Sequence, residues 1–313
     1  MAENLKNLYA GTETPFEDWK KLTFVTPIDK KQNVKFYTEK CGFHIVSTEI
    51  DGNVEIARFV AEREIPFFTE GKKMLQILNA GNRIMNTYVY KAPAGFVMVD
   101  TGYEHSMKNV ERKLRSSALS LSDIKYVFLT HAHDDHAGFL NELMNKYPDI
   151  QVIINPESIP VLRKGQNGFD GGCSSLMAYV FCKMMSLWGK GKHLFPKIDE
   201  HNIERMTKID DSNRKQLEEL LGGRIIYTPG HTNDSISLKI GEHVFCGDAA
   251  MNGFPSSHRI TIWVGNTSDF ETSWEKLLDE DIRFVIPAHG KPFPVENLQK
   301  NIRFISQIKL RAL

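Results

Sequence analysis

The sequence predicts an α/β layered fold, and three observations carry that expectation. From about Met74 onward, short apolar runs of strand length alternate with longer stretches of helical periodicity. Several of the apolar runs stop abruptly in turns that carry glycine or proline. Histidines and aspartates gather at those same turns, where α/β proteins build their sites.

With 313 residues, 41% of them hydrophobic, the chain can bury one large core, or one large and one small. Its 39 Lys and Arg balance 39 Asp and Glu, so no overall field attracts a polyanion and nucleic acid is not expected as a partner. The opening MAENLKNLYAGTETPFEDWK lacks a basic segment followed by an apolar one, and no apolar run is long enough to span a bilayer. A cytoplasmic protein with no membrane partner is therefore expected. Cys41, Cys173, Cys182 and Cys246 form no CxxC pair, which argues against a thiolate metal cage; they read as small buried hydrophobes.

Two segments differ in character. Residues 1–70 read as a small α/β appendage of β-α-β-β order: strand Leu22 to Val25, helix Lys30 to Lys40, strand Phe43 to Thr48, a turn at Asp51-Gly52-Asn53 and strand Val54 to Val60. Residues 71–313 read as the main domain. Its expected strands are Met74 to Leu78, Met85 to Tyr90, Phe96 to Val99, Tyr126 to Leu129, Gln151 to Ile154, Arg224 to Tyr227, Ser235 to Ile240, His243 to Cys246 and Phe284 to Ile286. Helices are expected at His105 to Ser116, Phe139 to Lys146, Ser212 to Leu221, Thr272 to Leu278 and Val295 to Leu313, with an insert over about 156–202.

The decisive stretch follows the Tyr126 strand: Thr130-His131-Ala132-His133-Asp134-Asp135-His136-Ala137-Gly138. Three imidazoles and a carboxylate within six positions offer nitrogen and oxygen donors suited to zinc and its neighbours. His231, Asp248 and His289 follow, each just after a strand-like run and flanked by glycine or small residues. Five imidazoles and two carboxylates are too many for one tetrahedral ion with an open position, so two divalent metal ions, zinc first with iron or manganese as alternatives, are the economical reading. The extra Asp134 either orients a ligand histidine or faces solvent. His44, His105, His193, His201, His243 and His258 read as surface or hydrogen-bonded core residues.

HxHxDH, then Thr228-Pro229-Gly230-His231-Thr232, Gly247-Asp248 and Ala288-His289-Gly290, in that order, resemble the metallo-β-lactamase superfamily over roughly residues 74–300. Asp100-Thr101-Gly102 is similar to that family's early aspartate turn. The resemblance implies a four-layered αββα fold. It also implies that His131, His133 and His231 hold one metal, that Asp135, His136 and His289 hold the other, and that Asp248 bridges them. The activity expected is hydrolysis of a small carbonyl substrate, a lactone, ester or thioester, by bridging hydroxide, with the second metal or Asp135 assisting the leaving group. An iron-dependent oxidoreductase on the same scaffold and a phosphodiesterase are the alternatives, since fold does not fix substrate.

Two further segments bear on specificity. His231-Thr232-Asn233-Asp234-Ser235 departs from the family's HTxG pattern at Asp234. In the insert, Met177, Phe181, Met184, Met185 and Trp188 share one side of a helix, either as an apolar lid for an acyl or aromatic group or as packing against the core or a second copy in a homodimer. Gly165, Gly168, Gly171 and Gly172 before it would let the segment move. The stretch Val34 to Phe43 resembles the end of an N-acetyltransferase domain, without the glycine-rich turn that would cradle a CoA pyrophosphate, and reads as a structural appendage.

Overall fold

The structure is a computed structural model that describes residues 21–27, 44–51 and 54–62 as backbone strands, and residues 77–313 with their side chains except that of Lys190. The chain divides into two compact units, Met1–Met74 and Leu75–Leu313. In the first, β1 (Lys21–Pro27), β2 (His44–Asp51) and β3 (Val54–Glu62) form an antiparallel sheet in the order β1-β3-β2. The expected helix Lys30 to Lys40 and the Val34 to Phe43 stretch lie outside the described residues.

The second unit is built on two mixed sheets. One runs β10-β8-β7-β6-β5-β4, from strands β4 (Ile77–Asn79), β5 (Tyr88–Ala92), β6 (Gly95–Val99), β7 (Ile124–Phe128), β8 (Gln151–Ile154) and β10 (Thr207–Lys208). The other runs β11-β12-β13-β15-β16, from β11 (Arg224–Tyr227), β12 (Ile236–Ile240), β13 (His243–Gly247), β15 (Phe284–Pro287) and β16 (Phe293–Pro294). A two-stranded ribbon pairs β9 (Gly172–Cys173) with β14 (Trp263–Val264).

Alternation along the strands explains the layering. Val97, Val99, Phe128 and Ile153 meet Ile225, Leu238, Phe245 and Ile286 of the opposite sheet in one buried cluster. Their neighbours Met98, Val127, Val152 and Ile154 point the other way, against Val110 and Leu114 of α1 (Met107–Arg115) and Leu140, Leu143 and Met144 of α2 (Leu140–Lys146). Likewise Ile226, Val244, Cys246 and Val285 face away from the inter-sheet core, onto Phe270, Trp274 and Leu277 of Thr267–Leu278. Strands with a side-chain period of two and both faces apolar must be covered on both sides, and because the two sheets cover each other on one side, helices cover the other, which gives helix, sheet, sheet, helix. This is the α/β metallo-β-lactamase fold, with two mixed sheets flanked by helices.

The remaining helices are α3 (Ile159–Lys164), α4 (Leu176–Met185), α5 (Glu200–Arg205), α6 (Arg214–Leu221), α7 (Thr267–Leu278) and α8 (Glu296–Asn301). The long terminal helix expected from Val295 to Leu313 is much shorter. After α8 the chain tightens into a 3₁₀ segment, Ile302–Gln307, and then extends so that Arg311 exchanges two backbone hydrogen bonds with Cys173, at 2.9 and 3.1 Å. Those strand-like bonds to β9 replace helical ones. Among the described residues no helix is long and apolar enough to cross a membrane.

Candidate metal centre

The site is assembled at strand ends. β6 delivers Asp100, β7 leads through Leu129 and Thr130 into His131, His133, Asp135 and His136, β11 leads to His231, β13 to Asp248 and β15 to His289. Three groups of donor atoms lie within 4.8 Å of one another: His131, His133 and His231; Asp135, His136 and His289; and His131, His136 and Asp248, which spans the other two. All are buried except half-buried Asp135. All seven expected ligands thus come together. Asp248 turns Oδ2 towards His231 Nε2 at 3.7 Å and Oδ1 towards His289 Nε2 at 3.5 Å and His136 Nε2 at 3.7 Å, one oxygen to each group.

Backbone geometry makes this crowding feasible. Gly247 adopts φ +52, and a Cβ there would stand 2.5 Å from the Thr130 hydroxyl, so only glycine lets β13 approach the β7 loop before Asp248. Asp100 takes φ +58, a strained conformation for a residue with a side chain. Its carboxylate over-determines it, accepting from the Thr130 N–H at 2.7 Å, the Thr130 hydroxyl at 2.8 Å and His136 Nδ1 at 2.8 Å.

Three of the five imidazoles are held by the nitrogen that faces away from the site. His136 Nδ1–H donates to Asp100, His231 Nδ1–H to the Trp263 carbonyl at 2.8 Å, and His289 Nδ1–H to the Ile84 carbonyl at 2.7 Å. These bonds fix the tautomer that leaves Nε2 as a lone pair facing the site. His131 Nε2, His133 Nε2, His136 Nε2 and Asp248 Oδ1 are buried with no hydrogen-bond partner. Orphaned buried polar atoms are costly, and so many in one place are what a cation-binding site leaves when the protein alone is considered. His133 Nδ1 and His231 Nε2 stand 3.1 Å apart, near the spacing of about 3.3 Å for two nitrogens on one tetrahedral ion with bonds of about 2.0–2.1 Å. The donor set therefore fits two ions.

Electrostatics point the same way. Burial, reinforced by neighbouring imidazoles, holds His131 and His133 well below the usual histidine range. Burial also opposes charge on His136 and His289, yet Asp100 and Asp135 push His136 up to about 9, and Asp248 and Asp135 push His289 up to about 10. Asp135, despite its burial, is held far below the carboxylate range by His136 and His289. Carboxylates that hold protons so firmly on imidazoles would hold a cation in their place.

The metallo-β-lactamase superfamily profile matches residues 80–289, more than half of the chain. The chain belongs to the metallo-β-lactamase superfamily. Among curated relatives it is similar to the "Beta-lactamase-like protein 2 homolog" of Caenorhabditis elegans, 24% identical over 66% of this chain and 55% of that protein. It therefore spans little more than half of that relative's length. It is also similar to the "Probable metallo-hydrolase YflN" of Bacillus subtilis, 25% identical over 70% of this chain and 86% of that one. Among solved structures, TTHA1623 in a di-iron-bound form superposes with a TM-score of 0.50 at 20% identity, covering 72% of this chain and 98% of that one; this likeness shows the fold. The family match starts at residue 80, and nothing supports the N-acetyltransferase resemblance of the N-terminal segment.

Within this superfamily frame, several residues outside the ligand set support the metal loop. Asp134 neither orients a ligand histidine nor faces open solvent. It accepts from Asn167 Nδ2 at 2.7 Å and lies 3.2 Å from His193 Nδ1, while the Asp134 N–H donates to Asn167 Oδ1 at 2.8 Å. The metal loop is thereby tied to the insert, and His193, expected to be incidental, is part of that tie. Asp234, the departure from HTxG, is buried and accepts from the Ala132 N–H at 2.8 Å and the Ser158 hydroxyl at 2.7 Å. Tyr103 follows the aspartate turn; burial and the nearby carboxylates of Asp135, Asp134 and Asp248 keep its phenol protonated. The adjacency of Tyr103 to Asp100-Thr101-Gly102 was the one signal that pointed to it.

The insert also differs from expectation. A Cβ on Gly171 would stand 2.0 Å from the Val264 carbonyl, and one on Gly172 2.7 Å from that of Arg311, so these glycines serve close packing rather than movement. Met177, Met184 and Trp188 are exposed, with Phe181 and Met185 half-buried, so this face of α4 is not core.

Proposed function

We propose that the chain is a dinuclear metal-dependent hydrolase acting on a small substrate with a carbonyl centre, a lactone, ester or thioester. The observation that carries the reading is the convergence of five imidazoles and two carboxylates, with His131 Nε2, His136 Nε2 and Asp248 Oδ1 buried there without a hydrogen-bond partner. "Probable metallo-hydrolase", the name borne by the B. subtilis relative, supports the same reaction class.

His131, His133 and His231 would hold one ion, Asp135, His136 and His289 the other, with Asp248 offering one oxygen to each. Two divalent ions so held supply an acidified water at neutral pH and polarise the oxygen of a carbonyl. An imidazole-rich set with two carboxylates suits zinc, and iron and manganese are accommodated by the same donors. Around them the chain has two tasks. Asp100, the Trp263 carbonyl and the Ile84 carbonyl keep His136, His231 and His289 in the tautomer that presents Nε2. Tyr103, kept protonated by burial and by Asp135, Asp134 and Asp248, stands near Asp135 as a neutral phenol. Asp135, half-buried at the mouth, can take a proton from the attacking water and return it to the leaving oxygen or sulfur.

The test is a panel of matched lactone, ester, thioester and phosphodiester substrates, run on the metal-loaded protein and on His131→Ala and Asp248→Ala. The reading expects turnover on a carbonyl ester or its relatives, at least about a hundredfold slower in both variants. Turnover confined to phosphodiesters would move the substrate class. Undiminished activity and metal content in either variant would defeat the assignment.

A further inference from the structure

The insert carries a surface that the metal centre does not explain. On α4 and the turn after it, Leu176 (61%), Val180 (58%), Leu187 (87%) and Trp188 (67%) are exposed, and Met177 and Met184 lie beside them. Leu176, Met177, Val180 and Met184, together with half-buried Phe181 and with Phe254 (77% exposed), line a shallow open hollow that has no polar lining, and Leu187 and Trp188 follow on the turn after the helix. Phe254 belongs to the loop that begins at Asp248, and its ring lies 6.1 Å from that of Phe181. The apolar face is therefore continuous with a loop of the metal site. Isolated exposed leucines mean little, but a contiguous patch ending in a bare Leu-Trp tip marks a docking surface.

Charge selects the occupant. The whole chain is neutral, with 39 basic and 39 acidic residues, yet between Asp170 and Asp199 stand Lys183, Lys190, Lys192 and Lys197 and no acid at all. Lys183 falls in the same helical row as Leu176, Val180 and Leu187, exposed, with its ammonium 5.5 Å from the Tyr179 ring. Lys190 and Lys192 follow the Trp188 tip directly, across Gly189, where φ is +77 and a Cβ would meet nothing within 4 Å. A second copy of the chain laid on this face would bring like charges together across a two-fold axis. A small acyl ligand would leave most of these side chains in water. An apolar tip in a segment that carries lysines and no acid is instead matched by a layer that is apolar within and anionic at its surface.

We propose that this face docks on an anionic lipid bilayer, with Leu187 and Trp188 inserted among the acyl chains and the lysines on the headgroups. No spanning helix is needed for such interfacial attachment, so the absence of one, from which no membrane partner was expected, does not oppose it. Docking would set the Asp248 loop, and with it the metal centre, at the lipid surface.

The experiment is co-sedimentation of the full chain with large vesicles of phosphatidylcholine alone and of phosphatidylcholine mixed with phosphatidylglycerol. The full chain is expected to bind the mixed vesicles and not the neutral ones, with binding falling as salt rises. Lys183→Gln and Lys192→Gln should each weaken it about fivefold. Leu187→Ser with Trp188→Ser should weaken it by at least about tenfold, while leaving circular dichroism and metal content unchanged because both side chains are exposed. Absence of binding to mixed vesicles would overturn the proposal, as would binding that the tip substitutions leave intact. Concentration-dependent dimerisation abolished by those substitutions would give the face to a second copy and overturn it equally.

Discussion

Asp100→Asn isolates the group that prepares His136. In the wild type, Asp100 Oδ1 accepts from the Thr130 N–H, and Oδ2 accepts both the Thr130 hydroxyl and His136 Nδ1. An asparagine keeps its carbonyl on the Thr130 N–H and so turns its NH₂ towards the other two. Thr130 can rotate its hydroxyl to accept. His136, fully buried, can accept only by moving its proton to Nε2, the atom that would bind metal. Loss of this charge-assisted bond costs the ion-free fold about 1.5–3 kcal/mol. The wrong tautomer weakens the ion held by Asp135, His136 and His289 by about tenfold to a hundredfold. Competition with a chromophoric chelator gives the affinity of each ion, and urea unfolding of the ion-free protein gives the stability. One ion should loosen while the one on His131, His133 and His231 stays near its wild-type affinity. Equal weakening of both, or of neither, would refute the reasoning that Asp100 acts through His136.

Asp234→Ala leaves the Ala132 N–H and Ser158 hydroxyl without acceptors, and should lower stability by about 1–3 kcal/mol per orphaned donor in urea titration, with metal affinity reduced as the His131 loop loosens. Trp274→Ala empties a fully buried site that also donates from Nε1 to the Ala249 carbonyl at 2.6 Å, beside Asp248; a loss of about 3–5 kcal/mol is expected. Acidification should release the ions: with His136 at about 9 and His289 at about 10 before binding, each must lose a proton to bind, so affinity measured by chelator competition should fall as pH falls. The ion-free protein should show the opposite slope from these two groups. Their folded pKa values lie above the unfolded one, so the stability they contribute is complete below about 6.5 and is lost as pH rises through 9 to 10; urea midpoints at pH 6 and pH 10 read it.

Much of the candidate site was legible because its signal is local. His131 to His136 lie within six residues, and His231, Asp248 and His289 each stand a few positions beyond a strand whose apolar run is plain. The strands themselves were legible for the same reason: Gln151–Ile154 and Arg224–Tyr227 fall where period and composition place them. What sequence did not disclose are the long-range partnerships. Asp234 reaches Ala132 across 102 residues, and His193 reaches Asp134 across 59, and neither spacing leaves a periodic trace. The terminal helix was over-extended because helical periodicity cannot register the competing backbone bonds that Cys173 offers Arg311. Close-packed Gly171 and Gly172 looked like hinges for a related reason: glycine in a sequence marks both a flexible joint and a place where another backbone approaches.

The central claim, two ions held by seven residues and needed for hydrolysis, is tested most directly by elemental analysis of protein purified without chelator, coupled to activity before and after metal removal. About two ions per chain are expected, with turnover lost on chelation and restored on reloading. One iron per chain with oxygen consumption and no hydrolysis, or full hydrolysis by metal-free protein, would contradict it.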